Sequence, residues 1–263
     1  WITYQGEPLK CNAPYYWKVK VYTNKGEANW SNPAFWSMGL FNEADWRGQW
    51  IGLDRAAPGD SETQWSRLAA RYLRKEFALK KEVNRAMVHV AGMGLYELFI
   101  NGQRIGDQVL APAPTDYRKT ILYNTYDVTS QLQKENAIGV TLGNGRFYTM
   151  RQNYKPYKIP TFGYPKLRLN LIVEYTDGNK ETIVSDISWK LTTEGPVRSN
   201  NEYDGEEYDA RKELGNWTLT GYDDKGWTPA QRVSIPSGTL RAQMMPGMKV
   251  TETLKPLSIK KLG

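Results

Sequence analysis

The densest group of ionisable side chains lies in the run from Asn200 to Asp209. Five carboxylates fall within eight positions there: Glu202, Asp204, Glu206, Glu207 and Asp209. Two carboxyl groups on either side of a sugar can hydrolyse a glycosidic bond, and clustered carboxylate oxygens can bind Ca²⁺. The run also fits a solvated loop whose acids pair with Arg198 and Arg211, since ion-pair networks are common as well. The residue types alone leave these three interpretations open.

A second polar cluster follows the predicted buried strand Ala137 to Leu142. The glycine-flanked loop from Gly143 to Tyr154 carries amide, guanidinium and tyrosine side chains. Amides and guanidinium groups can bridge neighbouring hydroxyls, and a tyrosine ring can stack on a sugar face. The residues that we expect to contact carbohydrate are Asn144, Arg146, Tyr148, Arg151 and Asn153. A loop that only covers the edge of a sheet has the same composition, so binding and covering remain alternatives.

This chain contains few residues that could form a zinc site or a histidine-dependent catalytic site. It contains one histidine, His89, and one cysteine, Cys11, which excludes an internal disulfide and leaves almost no ligands for zinc. A catalytic base needs an orienting partner, and the mid-strand position of His89 favours a structural role. The same scarcity argues against Ser-His-Asp and Cys-His catalysis. No metal set is predicted, and calcium remains possible.

The charge distribution argues against nucleic acid as a partner. The net charge is +7, but the basic residues are scattered among acids and form no block or helical stripe. No apolar run approaches the roughly 20 residues that a membrane-spanning helix needs. The chain opens on Trp1 rather than Met and reads as structured from there, so we expect it to be trimmed.

Short alternating runs, rather than helical periodicity, supply the elements that must position these residues. In the run from Leu167 to Tyr175 the inward positions are Leu167, Leu169, Leu171 and Val173. Asn101-Gly102, between Tyr96 to Ile100 and Gln103 to Val109, is a strong hairpin signal. Several such strands at spacings of roughly 8–12 residues predict an all-β sandwich. Residues 1–42 contain too few strands for a sandwich of their own and resemble the last part of another module.

Several linked motifs resemble the N-terminal domain of bacterial α-L-rhamnosidases, glycoside hydrolase family 78. The stretches that carry the resemblance are Arg74–Phe77, Val90–Asp107, Leu110–Pro112, Thr115–Tyr117, Tyr123–Thr129, Leu142–Gly145 and Tyr203–Arg211. They occur in the family's order and cover about residues 46 to 235. Many members carry tryptophan after the Leu-Gly-Asn-Gly motif, where this chain has Arg146 followed by Phe147.

The resemblance implies a jelly-roll, galactose-binding-like β-sandwich over residues 74–197. It implies that residues 1–42 are the end of a fibronectin-III-like module. Residues 43–73 and 198–263 would then form a flanking β region that packs toward the catalytic domain. The acidic motif Asp204, Glu206, Glu207 and Asp209 would lie at that domain interface.

The resemblance also implies that the catalytic acid and base lie in an (α/α)6 barrel, whose amphipathic helices this chain lacks. We therefore expect a secreted or periplasmic bacterial rhamnosidase whose present segment binds rhamnose-containing glycans, or acts as a scaffold, without hydrolysing them. The intact enzyme would hydrolyse terminal α-L-rhamnose with inversion. A purely structural module that positions the barrel and binds no sugar is the alternative.

Overall fold

The structure, a computed structural model, describes residues 3–57, 68–149, 162–202 and 205–260. Nearly all regular structure in these ranges is β. The strands are β1 Pro14–Trp17, β2 Tyr22–Thr23, β3 Gly26–Glu27, β4 Ala34–Ser37, β5 Ile51–Gly52, β6 Arg71–Ala78, β7 Val83–Met93, β8 Leu95–Ile100, β9 Gln103–Ile105, β10 Thr120–Asp127, β11 Glu135–Gly143, β12 Lys166–Tyr175, β13 Lys180–Val184, β14 Lys190–Thr192, β15 Val197–Asn201, β16 Gly205–Tyr208, β17 Thr228–Pro229, β18 Gln231–Arg232 and β19 Thr239–Ala242. The helical elements in the same ranges are three single 3₁₀ turns, Glu43–Asp45, Thr129–Gln131 and Ala210–Lys212.

Two large sheets form the body of the molecule and confirm the predicted all-β sandwich. The seven-stranded sheet has the order β18-β5-β12-β7-β10-β19, with β13 also paired to β12. The six-stranded sheet has the order β17-β14-β6-β11-β8-β9. Strands β5, β17, β18 and β19 come from the segments that flank residues 74–197, so both flanks add strands to the two sheets. The predicted boundaries themselves stay a prediction.

The main core lies between the two sheets and follows the predicted alternation. Leu167, Leu169, Leu171 and Val173 are all fully buried on one side of β12. The other side of β12 is covered as well, since Lys166, Arg168 and Asn170 are also buried. A second apolar cluster, which includes Trp46 and Trp50 from the segment before β5, packs on that outer side. The first part of β12 is therefore enclosed on both sides.

The predicted Asn-Gly hairpin is confirmed between β8 and β9. Asn101 and Gly102 have φ values of 50° and 80°, the left-handed conformation that a two-residue hairpin turn requires. The Asn101 side chain also accepts a hydrogen bond from the Ala137 amide, which ties the turn to β11. Strand β9 ends at Ile105, earlier than predicted, because Gly106 has a φ of 82°.

The first 42 residues carry two short hairpins, β1–β4 and β2–β3. The alternating run from Tyr15 to Tyr22, which has the pattern of a single strand, is interrupted, since residues 18–21 lie outside both β1 and β2. This region contacts the large sandwich through specific hydrogen bonds. The Tyr123 hydroxyl donates to the Leu40 carbonyl at 2.7 Å, and an Arg85 nitrogen donates to the Asn12 carbonyl at 2.8 Å.

His89 lies at this contact and has the structural role that its mid-strand position predicts. It is fully buried on β7, with Nε2 3.0 Å from Asn12 Oδ1 and Nδ1 2.9 Å from Thr125 Oγ1. An amide oxygen only accepts, so Nε2 carries the proton and Nδ1 accepts from the threonine hydroxyl. Burial and the nearby Arg85 charge lower the pKa of His89 from 6.5 to about 4.

This lowered pKa predicts a pH-dependent stability. The unfolded chain takes up a proton at His89 near pH 6.5 and the folded chain does so only near pH 4, so stability is lost as the pH falls between these values. We expect a loss of about 2 kcal/mol between pH 7.5 and pH 5, measured by urea denaturation at each pH. Because His89 is the single histidine, His89→Gln should give a nearly flat profile over that window. An unchanged slope in His89→Gln would contradict the assignment.

Candidate functional site

The loop after β11 is held by contacts to distant parts of the chain. The Asn144 backbone nitrogen donates to Asn200 Oδ1 at 2.6 Å. The side-chain nitrogen Nδ2 of Asn144 donates to the Leu68 carbonyl at 2.8 Å. Gly145 has a φ of 50°, which lets the chain turn sharply after Asn144. Asn144 is buried, so it positions the loop from beneath and does not reach its surface.

Aromatic packing fixes the middle of the loop. Phe147 is buried against Tyr117 and Phe162, with ring centroids 5.2 and 6.0 Å away. Burial raises the pKa of Tyr117 to about 12, so this phenol stays neutral near pH 7. Phe147 is therefore a core residue and offers no exposed ring at the position next to Arg146.

The outer surface of the loop presents a guanidinium and a stacked pair of rings. The Arg146 side chain is 47% exposed, and its Nη1 lies 3.4 Å from Glu202 Oε2. The Tyr148 ring is half-buried and stacks on Tyr164, with centroids 5.6 Å apart and planes inclined by 24°. The ion-paired guanidinium of Arg146 and the stacked ring of Tyr148 therefore lie two residues apart in this loop. Arg151 and Asn153, the other two predicted contacts, lie outside the described residues.

The acidic run forms a hairpin next to this loop. Strands β15 and β16 pair with Asn200 opposite Glu206 and Ser199 opposite Glu207, and Glu206 and Glu207 are exposed. Asn200, on the same hairpin, supplies the oxygen that holds Asn144. Asp204 lies outside the described residues.

Asp209 and Arg211 form the ion pair that the solvated-loop interpretation expects. Arg211 donates two side-chain hydrogen bonds of 2.8 Å to Asp209, and these hold the carboxyl pKa at about 2. Arg198 donates mainly to the Thr193 and Gly195 carbonyls. Within the described residues no group of three or more His, Cys, Asp or Glu side chains is arranged to hold a metal ion.

Two residues of this loop surface, Glu202 and Tyr164, are not among the predicted carbohydrate contacts. Glu202 belongs to the acidic run, for which the sequence suggests Arg198 and Arg211 as partners, and its pairing with Arg146 brings the two predicted clusters into contact. Tyr164 follows Phe162-Gly163, and only this aromatic-glycine-aromatic spacing marks it in the sequence. The stacking of Tyr164 on Tyr148 depends on the fold, because 16 residues separate them.

The two sheets and the end loop define a β-sandwich domain with an aromatic and charged surface at one end. A sequence model of the family described as "Alpha-L-rhamnosidase N-terminal domain" matches residues 81–252, and the chain belongs to this family. Residues 1–42 match a second family, described as "Rha78A-like, N-terminal immunoglobulin domain". The immunoglobulin match supports the module predicted there, and its narrower fibronectin-III-like assignment stays a prediction. No helix in the described ranges is long and apolar enough to cross a membrane.

Proteins similar to this chain are described as α-L-rhamnosidases, which agrees with this family. An α-L-rhamnosidase of Formosa agariphila is 38% identical over 98% of this chain. The solved α-L-rhamnosidase from Dictyoglumus thermophilum is 40% identical over 98% of the chain, with a TM-score of 0.82. That from Aspergillus terreus is 34% identical over 89% of the chain, with a TM-score of 0.80. The chain spans 29%, 29% and 27% of the length of these three proteins.

Proposed function

We propose that this chain is the non-catalytic, carbohydrate-binding and scaffolding region of a secreted or periplasmic α-L-rhamnosidase. Family membership supports the parent enzyme, which would release terminal α-L-rhamnose with inversion. The observation that carries the binding role is the surface formed by Arg146, Glu202 and the stacked Tyr148 and Tyr164. Guanidinium donors and carboxylate acceptors suit sugar hydroxyls, and the ring faces suit the C–H face of a pyranose.

Catalysis is proposed to lie in the part of the enzyme outside this chain. Glu202 and Asp209 are engaged in ion pairs, and Glu206 and Glu207 stand on an exposed strand; both arrangements fit an interface role. The chain alone is therefore expected to leave an aryl α-L-rhamnoside intact. Turnover that a single carboxylate substitution abolishes would overturn this part of the proposal.

Calorimetric titration with L-rhamnose tests the binding role. We expect millimolar or tighter affinity, weakened at least tenfold by Arg146→Ala or Tyr148→Ala, because each removes one direct contact worth about 1.5 kcal/mol. Titrations with and without Ca²⁺ test whether calcium takes part. Arg104→Ala is the matched control, since it removes a similar ion pair with Glu97, formed between the edge strand β9 and β8 rather than in the loop. Equal affinities of the wild type and both loop variants would contradict the assignment.

A purely structural role is the second candidate, and one observation favours it. The segment from Met244 to Ile259 runs over the surface with large apolar side chains exposed. These are Met244, Met245, Met248, Val250, Leu254, Leu257 and Ile259, each at least 53% exposed. An apolar surface of this extent is typical of a protein contact, and the catalytic domain of the same enzyme is the proposed partner. This candidate predicts a flat rhamnose titration with and without Ca²⁺.

A further inference from the structure

A concave surface lies away from the loop site, on the outer side of the six-stranded sheet. This cleft has a volume of about 590 Å³ and is bordered by β6, β14 and residues 221–225. Small-molecule sites commonly have volumes of roughly 300–1,000 Å³. Arg74, on the cleft floor, pairs in register with Gly139, four residues before the end of β11 at Gly143. At about 3.3 Å per residue, the cleft lies about 13 Å along the sheet from the loop.

The floor of the cleft is rigid because Arg74 is buried and held from several directions. Its guanidinium donates to the Trp217 and Leu219 carbonyls at 2.9 and 3.0 Å. It also donates to one carboxylate oxygen each of Glu76 and Asp224. The second oxygen of each carboxylate makes no hydrogen bond to the described residues. Two fixed carboxylates therefore retain acceptor capacity at the cleft.

Donors and an aromatic ring complete the lining. Lys190 forms no ion pair within the described ranges. The Lys225 side chain is 92% exposed, and its ammonium group lies 3.9 Å from Asp223 Oδ2. The Tyr222 ring is fixed by the Arg74 guanidinium, 5.3 Å from its centroid, and by an edge contact with Trp227. The cleft thus combines cationic donors, anionic acceptors and one oriented ring.

The combination of cationic donors and anionic acceptors in the cleft restricts the chemistry of a ligand. An anion would meet the carboxylates of Glu76, Asp223 and Asp224, and a cation would meet the ammonium groups of Lys190 and Lys225. An apolar molecule would take these charges out of water without replacing their hydrogen bonds. Hydroxyl groups both donate and accept, so a neutral polyhydroxylated molecule satisfies both sets. We infer that this cleft is a second binding site, specific for a neutral saccharide unit, and independent of the loop site.

Nuclear magnetic resonance titration of the ¹⁵N-labelled 263-residue chain tests this inference. The probes are the methyl glycosides of α-L-rhamnose, β-D-galactose and β-D-glucose, each added to about 50 mM so that weak sites fill. We expect at least one probe to shift the amide signals of residues 221–225 in a saturable way. Asp223→Asn and Lys225→Ala, both at exposed positions that tolerate change, should weaken that binding about tenfold.

Lys134→Ala is the matched control, because it removes an exposed lysine outside the cleft. Arg146→Ala should leave the shifts at residues 221–225 unchanged even where it abolishes binding at the loop, so the two sites succeed or fail separately. The inference is overturned if none of the probes gives saturable shifts at 221–225. It is also overturned if Lys134→Ala weakens binding as much as the two cleft variants do.

Discussion

Replacing Trp46 by alanine is expected to lower the free energy of unfolding by about 3–5 kcal/mol, the cost of emptying a buried tryptophan site. The indole is 6% exposed and meets the Tyr123 ring edge-on at 5.2 Å. Arg168 lies 5.4 Å above the indole and also donates to the Trp46 carbonyl. Removal of the indole opens the outer core of the seven-stranded sheet beside His89, where residues 1–42 are attached. Urea denaturation measures the loss.

The same variant should also release residues 1–42 to protease before the sandwich itself is cut, since their contacts pass close to Trp46. Trp30→Ala is the control. Trp30 is 54% exposed beneath the Lys18 ammonium and should change stability by less than about 1 kcal/mol. Similar losses in the two variants would show that Trp46 does not link the two parts.

Replacing Arg74 by alanine is expected to cost about 3 kcal/mol or more, because it leaves carboxylates and carbonyls without their buried cation. For a chain of this size such a loss lowers the melting temperature by roughly 6–12 °C. Asp224 and Glu76 are 26% and 40% exposed, which allows water to relieve part of the penalty. Thermal unfolding followed by circular dichroism measures the effect.

Arg118→Ala provides the comparison for Arg74→Ala. Arg118 also pairs with a carboxylate, that of Asp116 at 2.9 Å, but its side chain is 74% exposed. Exposed pairs of this kind contribute little, so the loss of stability should be far smaller than that of Arg74→Ala. If both variants melt alike, the buried position of Arg74 has no energetic consequence.

The parts of the fold that sequence predicted are those set by local pattern. Alternation along residues 167–175 fixes which side of β12 enters the core, and Asn101-Gly102 fixes a turn through φ values that few other pairs adopt. Strands β17 and β18 carry no such signal, because two residues are too short for a period. They form only where the larger sheets offer an unpaired edge.

The candidate site was predictable in residue type but not in orientation. Arg146 and Tyr148 reach the loop surface as predicted, although whether they bind sugar stays a prediction. Asn144 turns inward because its partners, the Leu68 carbonyl and Asn200, lie 76 and 56 residues away. No local pattern encodes such distant partners. The pairing of Arg74 with Asp224, across 150 residues, was beyond sequence reasoning for the same reason.

The burial of both sides of β12 limits how the sequence of this domain can change over evolution. A strand with one solvent-exposed side tolerates change at every second position, whereas Lys166, Arg168 and Asn170 alternate with the core leucines and are buried as well. A substitution at any of these positions must match the volume and the hydrogen bonds of what it replaces. Sequence divergence among related domains should therefore accumulate at the rim and loops, while the buried part of β12 stays nearly constant.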